Sequence, residues 1–173
     1  MNNGFAALAL AAVCALAPRL AVAEVTTFAK AGVWEAFGGS VDTGGLVCGV
    51  STEGDGKFIG VKFFKGTQTL TIQLANTGWK ARSGAVVAVT MRFDQQAAWK
   101  ADAKAFKLDG GGAGLEFEID EDQLDTWVDE FRDSERLIVG FPNDNVDDWV
   151  ASLRGTAAVA DAMIGCLHRI GVH

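Results

Sequence analysis

Three stretches in the middle of the chain alternate apolar and polar residues with a period of two. In TLTIQLA (69–75), Leu70, Ile72 and Leu74 alternate with Thr and Gln. In AVVAVTMRF (85–93), Val87, Val89, Met91 and Phe93 share one side, and in GLEFEID (114–120), Leu115, Phe117 and Ile119 oppose Glu116 and Glu118. Successive strand residues point to opposite faces, so this period marks half-buried strands with one face on a core. LVCGVST (46–52) and KFIGVKFF (57–64) add two strand-like runs, joined by the turn-forming EGDG. GVWEAFGG (32–39) reads as a short opening strand ending at a glycine turn. RLIVGF (136–141) and DDWVASL (147–153) read as the closing strands.

Between these runs the period changes. DEDQLDTWVDEFRDS (120–134) places Leu124, Trp127, Val128 and Phe131 at helical spacing, and its acidic first turn suits the positive end of a helix dipole. After Gly155, TAAVADAMIGCLHRI puts Val159, Met163, Cys166 and Ile170 on one helical face. The expected fold is α+β: a mostly antiparallel β-sandwich or barrel-like core with two helices, the last one C-terminal.

The N-terminus reads separately from this pattern. GFAALALAAVCALA (4–17) is apolar but shorter than the roughly 20 residues a membrane-crossing helix needs. It runs into LAVAEV, where Ala21, Val22 and Ala23 give the small-x-small pattern of a signal-peptidase site. The expectation is a signal peptide over residues 1–23, cleaved before Glu24, although its first residues include no Lys or Arg. A retained membrane anchor and a lipidated Cys14 are the alternatives, the latter against a bulky Val13 where a small residue is wanted. Cleavage leaves a single β-rich domain over 24–173, with no membrane span, in the periplasm or secreted. It also removes Arg19 and takes the net charge from −7 to −8. Such an acidic balance disfavours nucleic acid, whose phosphates require clustered Lys and Arg.

Once Cys14 is removed, the remaining cysteines are Cys48 and Cys166. In an oxidising compartment this even count predicts a disulfide that ties the first core strand to the last helix. Two buried, unpaired thiols are the alternative.

Catalytic sets are hard to find. The histidines are His168 and His173, both at the C-terminal end, where neither a Ser-His-acid triad nor a classical zinc site is expected. DGGGAG (109–114) precedes a strand rather than a helix, so it reads as a flexible turn and not a dinucleotide loop. NDNVDD (143–148) lacks the glycine and glutamate of an EF-hand loop and reads as a turn. No cofactor and no metal are expected. Asp120, Glu121, Asp122, Asp125, Asp129 and Glu130 crowd one helix as a candidate acidic surface, ordinarily a solvated face. Of the five tryptophans, Trp34, Trp127 and Trp149 sit in periodic segments and are expected in the core. Trp79 in NTGWKARSG and Trp99 in QQAAWKAD lie in more polar stretches read as loops. They are candidate ligand contacts, with capping of the β core as the alternative.

GVWEAF, LTIQLANTGWKARSGAVVAVTMRFD and WVASLRGTAAVADAM occur in that order. Together they resemble the invasion-associated locus B family of small bacterial periplasmic proteins: an opening tryptophan strand, a strand–turn–strand unit with a G-W turn, and an SL-x-G step into an alanine-rich last helix. FDQQ and SLRGT are also similar to accessory periplasmic proteins of type VI secretion, in which a C-terminal cysteine follows the last helix. The chain lacks the additional middle cysteine pair usual in the locus B family, and Cys166 stands where many members have none. The resemblance implies an exported, non-enzymatic, β-rich protein of envelope or host-cell interactions, and it transfers no catalytic residue.

The expected role is a non-enzymatic binding or interaction protein whose partner is a protein or glycan in the envelope or on a host cell. One alternative is an acidic inhibitor of a basic envelope enzyme such as a lysozyme, suggested by the net charge. The other is a carboxylate-based glycan hydrolase drawing on the 120–130 cluster.

Overall fold

The computed structural model describes residues 24–144 and 146–172. The segment read as a signal peptide, and His173, lie outside the described residues. Ten strands form one fully antiparallel sheet. They are β1 (Glu24–Ala31), β2 (Trp34–Ser40), β3 (Leu46–Gly54), β4 (Lys57–Phe64), β5 (Thr69–Asn76), β6 (Val86–Phe93), β7 (Trp99–Lys107), β8 (Ala113–Asp120), β9 (Arg136–Gly140) and β10 (Trp149–Ser152). A 3-10 turn over Glu121–Gln123 leads into α1 (Leu124–Asp133), and the chain ends with α2 (Thr156–Ile170). The fold is therefore mostly β with two helices, the last C-terminal.

Strand order is β1-β2-β3-β4-β5-β8-β7-β6-β9-β10, a five-strand meander followed by a second meander entered from its far end. The β3–β4 hairpin turns on Asp55 and Gly56, whose φ of +53° and +69° fit the type I′ turn that matches strand twist. Register carries one apolar face across the sheet. Cys48 aligns with Phe63, Phe63 with Leu70 and Leu70 with Ile119; Val61 aligns with Ile72 and Ile72 with Phe117. All of these side chains are buried.

The sheet curls until its two ends meet. Trp34 of β2 donates its indole N–H to the carbonyl of Ser152 at the end of β10, 2.8 Å away. A side chain at Gly32 would place its Cβ 2.4 Å from the carbonyl oxygen of Arg154, so the β1–β2 turn and the β10–α2 junction touch backbone to backbone. The helices lie inside this curl. Phe131 of α1 meets Trp34 edge-on at 4.9 Å and stacks on Trp127 at 5.1 Å, and Trp127 meets Phe93 of β6 edge-on at 5.7 Å. α1 thereby joins the inner faces of the two meanders. The Thr156 hydroxyl, buried at the start of α2, lies 2.8 Å from the Phe131 carbonyl and 2.6 Å from that of Leu153.

Cys48 of β3 and Cys166 of α2 are joined by a disulfide, with their Cα atoms 5.9 Å apart. Gly38 on β2 makes room for it: a Cβ there would sit 2.7 Å from Cys166 Sγ and 3.1 Å from both the Phe28 ring and the Val47 carbonyl. Gly38→Ala is expected to cost about 1–3 kcal/mol through overpacking, read as a lower urea midpoint at unchanged slope.

Candidate functional site

Two connections close one end of the curl, the β5–β6 loop over 77–85 and the β9–β10 loop over 141–148. An Asx turn at Asn76, whose side-chain oxygen accepts from the Gly78 N–H at 2.7 Å, swings Trp79 inward. The ring of Trp79 stacks on Trp149 at 4.8 Å, and Phe141 packs edge-on against both. Lys57 from the β3–β4 hairpin holds its ammonium 5.6 Å from the centre of the Trp149 ring, a cation–π contact. Beside Trp79 is a pocket of about 210 Å³ with Ala81, Val87, Leu115, Phe141 and Val146 as apolar walls, and with Lys80 and Asp144 among its lining. Its size and walls suit one small apolar or aromatic group, oriented by the two charges. Trp79 is half-buried, so it both caps the end of the β core and presents a wall to this pocket.

Trp99 occupies a different place. It is the first residue of β7 rather than a loop residue, and its indole N–H donates to Glu130 Oε2 of α1 at 2.6 Å. The structure thus joins two of the candidate residues to each other. The remaining acidic candidates, Asp120, Glu121, Asp122, Asp125 and Asp129, are exposed, while Leu124, Trp127, Val128 and Phe131 face the core. Among the described residues no group of three or more His, Cys, Asp or Glu is arranged to hold a metal ion, and no helix is long and apolar enough to cross a membrane.

The outer face of the sheet carries a polar row that sequence reasoning did not single out. Lys62 of β4 donates to Gln73 Oε1 on β5, and Gln73 donates to Glu116 Oε2 on β8 at 2.5 Å. Glu116 is in turn opposite Lys104 of β7. The signal for this row was present as the polar half of each alternating strand; only register could show that the halves line up. Burial lowers the pKa of Lys62 below its ordinary 10.5, and the nearby Glu116 offsets this in part. A lysine whose folded pKa is depressed binds fewer protons folded than unfolded, so stability rises with pH through the window that ends near 10.5. Lys62→Met is expected to flatten that rise, as measured by urea midpoints across the alkaline range.

These features define a curled, fully antiparallel sheet with two helices packed inside it, pinned by one buried disulfide and closed at one end by an aromatic cluster. No sequence-family model matches the chain, and no curated protein does. Among solved structures, the crystal structure of invasion associated protein B from Bartonella henselae is similar, with a TM-score of 0.53 and 14% sequence identity. The match covers 86% of this chain and 99% of that chain. At this identity the likeness is one of fold.

Proposed function

We propose that the protein is an exported, non-enzymatic binding protein of the bacterial envelope that acts in contact with a host cell. The fold shared with invasion associated protein B, along nearly the whole of that chain, carries this reading. The Cys48–Cys166 disulfide supports it, because such bonds persist in oxidising compartments and are rare in the cytosol. The aromatic pocket at Trp79 supplies a place for an apolar group of the partner.

The test is export and thiol state followed by binding. Expressed from its own N-terminus in a Gram-negative host, the protein is expected in the periplasmic or culture fraction, beginning at Glu24 and resistant to alkylation until reduced. Recovery from the cytoplasm with Cys48 and Cys166 both free would sink the proposal. Purified protein added to cultured host cells is then expected to bind saturably, and Trp79→Ala to weaken that binding.

The exposed carboxylates of α1 favour one second reading, inhibition of a basic envelope enzyme such as a lysozyme, since opposite charge speeds encounter. Absence of lysozyme binding at low salt would dispose of it.

A further inference from the structure

Strand β10 pairs with β9 on one side, and among the described residues no strand pairs with its other side. The register shows which backbone groups that free edge offers. Leu153 donates its N–H to the carbonyl of Glu135, so Leu153, Ala151 and Trp149 turn their backbone groups toward β9. The alternate residues turn the other way, as the Ser152 carbonyl shows by accepting from Trp34. The N–H and C=O of Val150 and the N–H of Ser152 therefore point into the gap between β10 and the β3–β4 hairpin. That gap is a groove of about 280 Å³, lined among others by Val33, Thr52, Glu53, Asp55, Ile59 and Val150.

The groove has the character of a binding edge rather than a protected one. Natural edge strands are usually blunted by lysine, proline or a bulge. Here Val150 is 66% exposed and Val33, across the gap, is 60% exposed. Glu53 and Asp55 stand on the same wall, and among the described residues neither makes an ion pair. Lys57 also lines the groove, with its ammonium turned onto the Trp149 ring, so two carboxylates face one cation there. The groove thus joins an open backbone ladder, two apolar side chains and an excess of negative charge.

We propose that this edge takes an extended peptide segment of a partner by strand addition, with an apolar residue opposite Val150 and a basic residue two positions away. Backbone hydrogen bonds to Val150 and Ser152 supply the docking, and alternate side chains supply the choice of sequence. The apolar residue lies beside Val150 and Val33, and the basic one reaches Glu53 and Asp55. A second copy of this chain is the poorer occupant, because each copy has a net charge of −7 and would bring its own acidic hairpin to the joint. The proposal rests on the reading of the chain as a binding protein and names the kind of partner.

The experiment is an amide NMR titration of the purified, isotope-labelled protein with capped heptapeptides of alternating Thr and Val. One carries lysine two residues after its central valine, and the other carries glutamate there. The lysine peptide is expected to shift the amides of Val150, Ser152, Glu53 and Asp55 saturably, and the glutamate peptide to bind at least about tenfold more weakly. E53Q/D55N is expected to remove that difference, and Val150→Pro to abolish binding, since proline deletes a donor that β9 does not use. N-methylation of the central valine of the lysine peptide makes the same test on unaltered protein, and it too is expected to abolish binding. Shifts confined to other surfaces, equal affinity for the two peptides, or full binding by the N-methylated peptide would each overturn the proposal. So would β10 shifts that grow with protein concentration alone, which would give the edge to a second copy. Fraction and thiol state are read separately, so a failure here leaves the export reading standing, and the reverse also holds.

Discussion

Replacing Cys48 and Cys166 together by alanine is expected to lower the unfolding free energy by about 4–5 kcal/mol, and the melting temperature by about 10–15 °C. The bond spans 118 positions of sequence, so it removes more freedom from the unfolded chain than a short-loop disulfide would. It also joins elements that would otherwise separate early, since β3 belongs to the first meander and α2 is the last element of the chain. Both sulfurs are buried, and alanine leaves only a small void at each site. The loss should therefore come chiefly from the unfolded state. A chain freed of its cross-link exposes more surface on unfolding, so the urea slope is expected to rise while the midpoint falls. A loss below about 1 kcal/mol at an unchanged slope would mean that the bond merely records proximity already fixed by packing.

The parts of this fold visible in sequence are those where inner and outer residues differ most. β5, β6 and β8 alternate large apolar residues with Thr, Gln, Arg or Glu, and their limits lie within a residue of where the alternation starts and stops. α2 runs over Thr156–Ile170, the span its apolar stripe marks, entered from Gly155 and left at Gly171, both at positive φ. Two strands escaped the same reasoning for definite physical reasons. β1 is an edge strand whose residues are almost all exposed, and only the small Ala29 and Ala31 pack against the core, too weak a signal to impose a period on EVTTFAKA. β7 turns Ala101, Ala103 and Ala105 inward, and alanine against Lys and Asp is a weak strand signal. Missing β7 is what placed Trp99 in a loop and hid its bond to Glu130.

The candidate site was legible only in pieces. Trp79 stands out because it follows a glycine turn in polar surroundings, but nothing local says that it will stack on Trp149, 70 positions further on. That contact exists because the sheet curls far enough to bring β10 beneath the β5–β6 loop. The curl is a property of ten registered strands and not of any one of them. The free edge of β10 was invisible for the same reason. DDWVASL looks like any closing strand until its partner on one side, and the gap on the other, are known.

Phe131→Ala is expected to cost about 3–5 kcal/mol, measured by urea unfolding with the disulfide intact. The ring is fully buried, edge-on to Trp34 from β2 and stacked on Trp127 of its own helix, through which it reaches Phe93 of β6. Its loss opens a void where rigid helix and sheet surfaces have little freedom to collapse. Trp127 then keeps an indole N–H that, among the described residues, has no partner even with Phe131 present. That orphan makes Trp127→Phe an informative companion: it creates a smaller void but removes a buried donor that costs about 1–3 kcal/mol, so its net effect is expected within about 1 kcal/mol of zero. A loss for Trp127→Phe in proportion to its smaller void would instead mean that volume alone governs this cluster. Since natural domains hold only about 5–15 kcal/mol in total, Phe131→Ala combined with loss of the disulfide should approach the whole stability of the chain. If α1 and the disulfide hold the two meanders together independently, the two losses add. If α2 transmits strain between them through Thr156, which bonds to the Phe131 carbonyl, the double variant will depart from that sum.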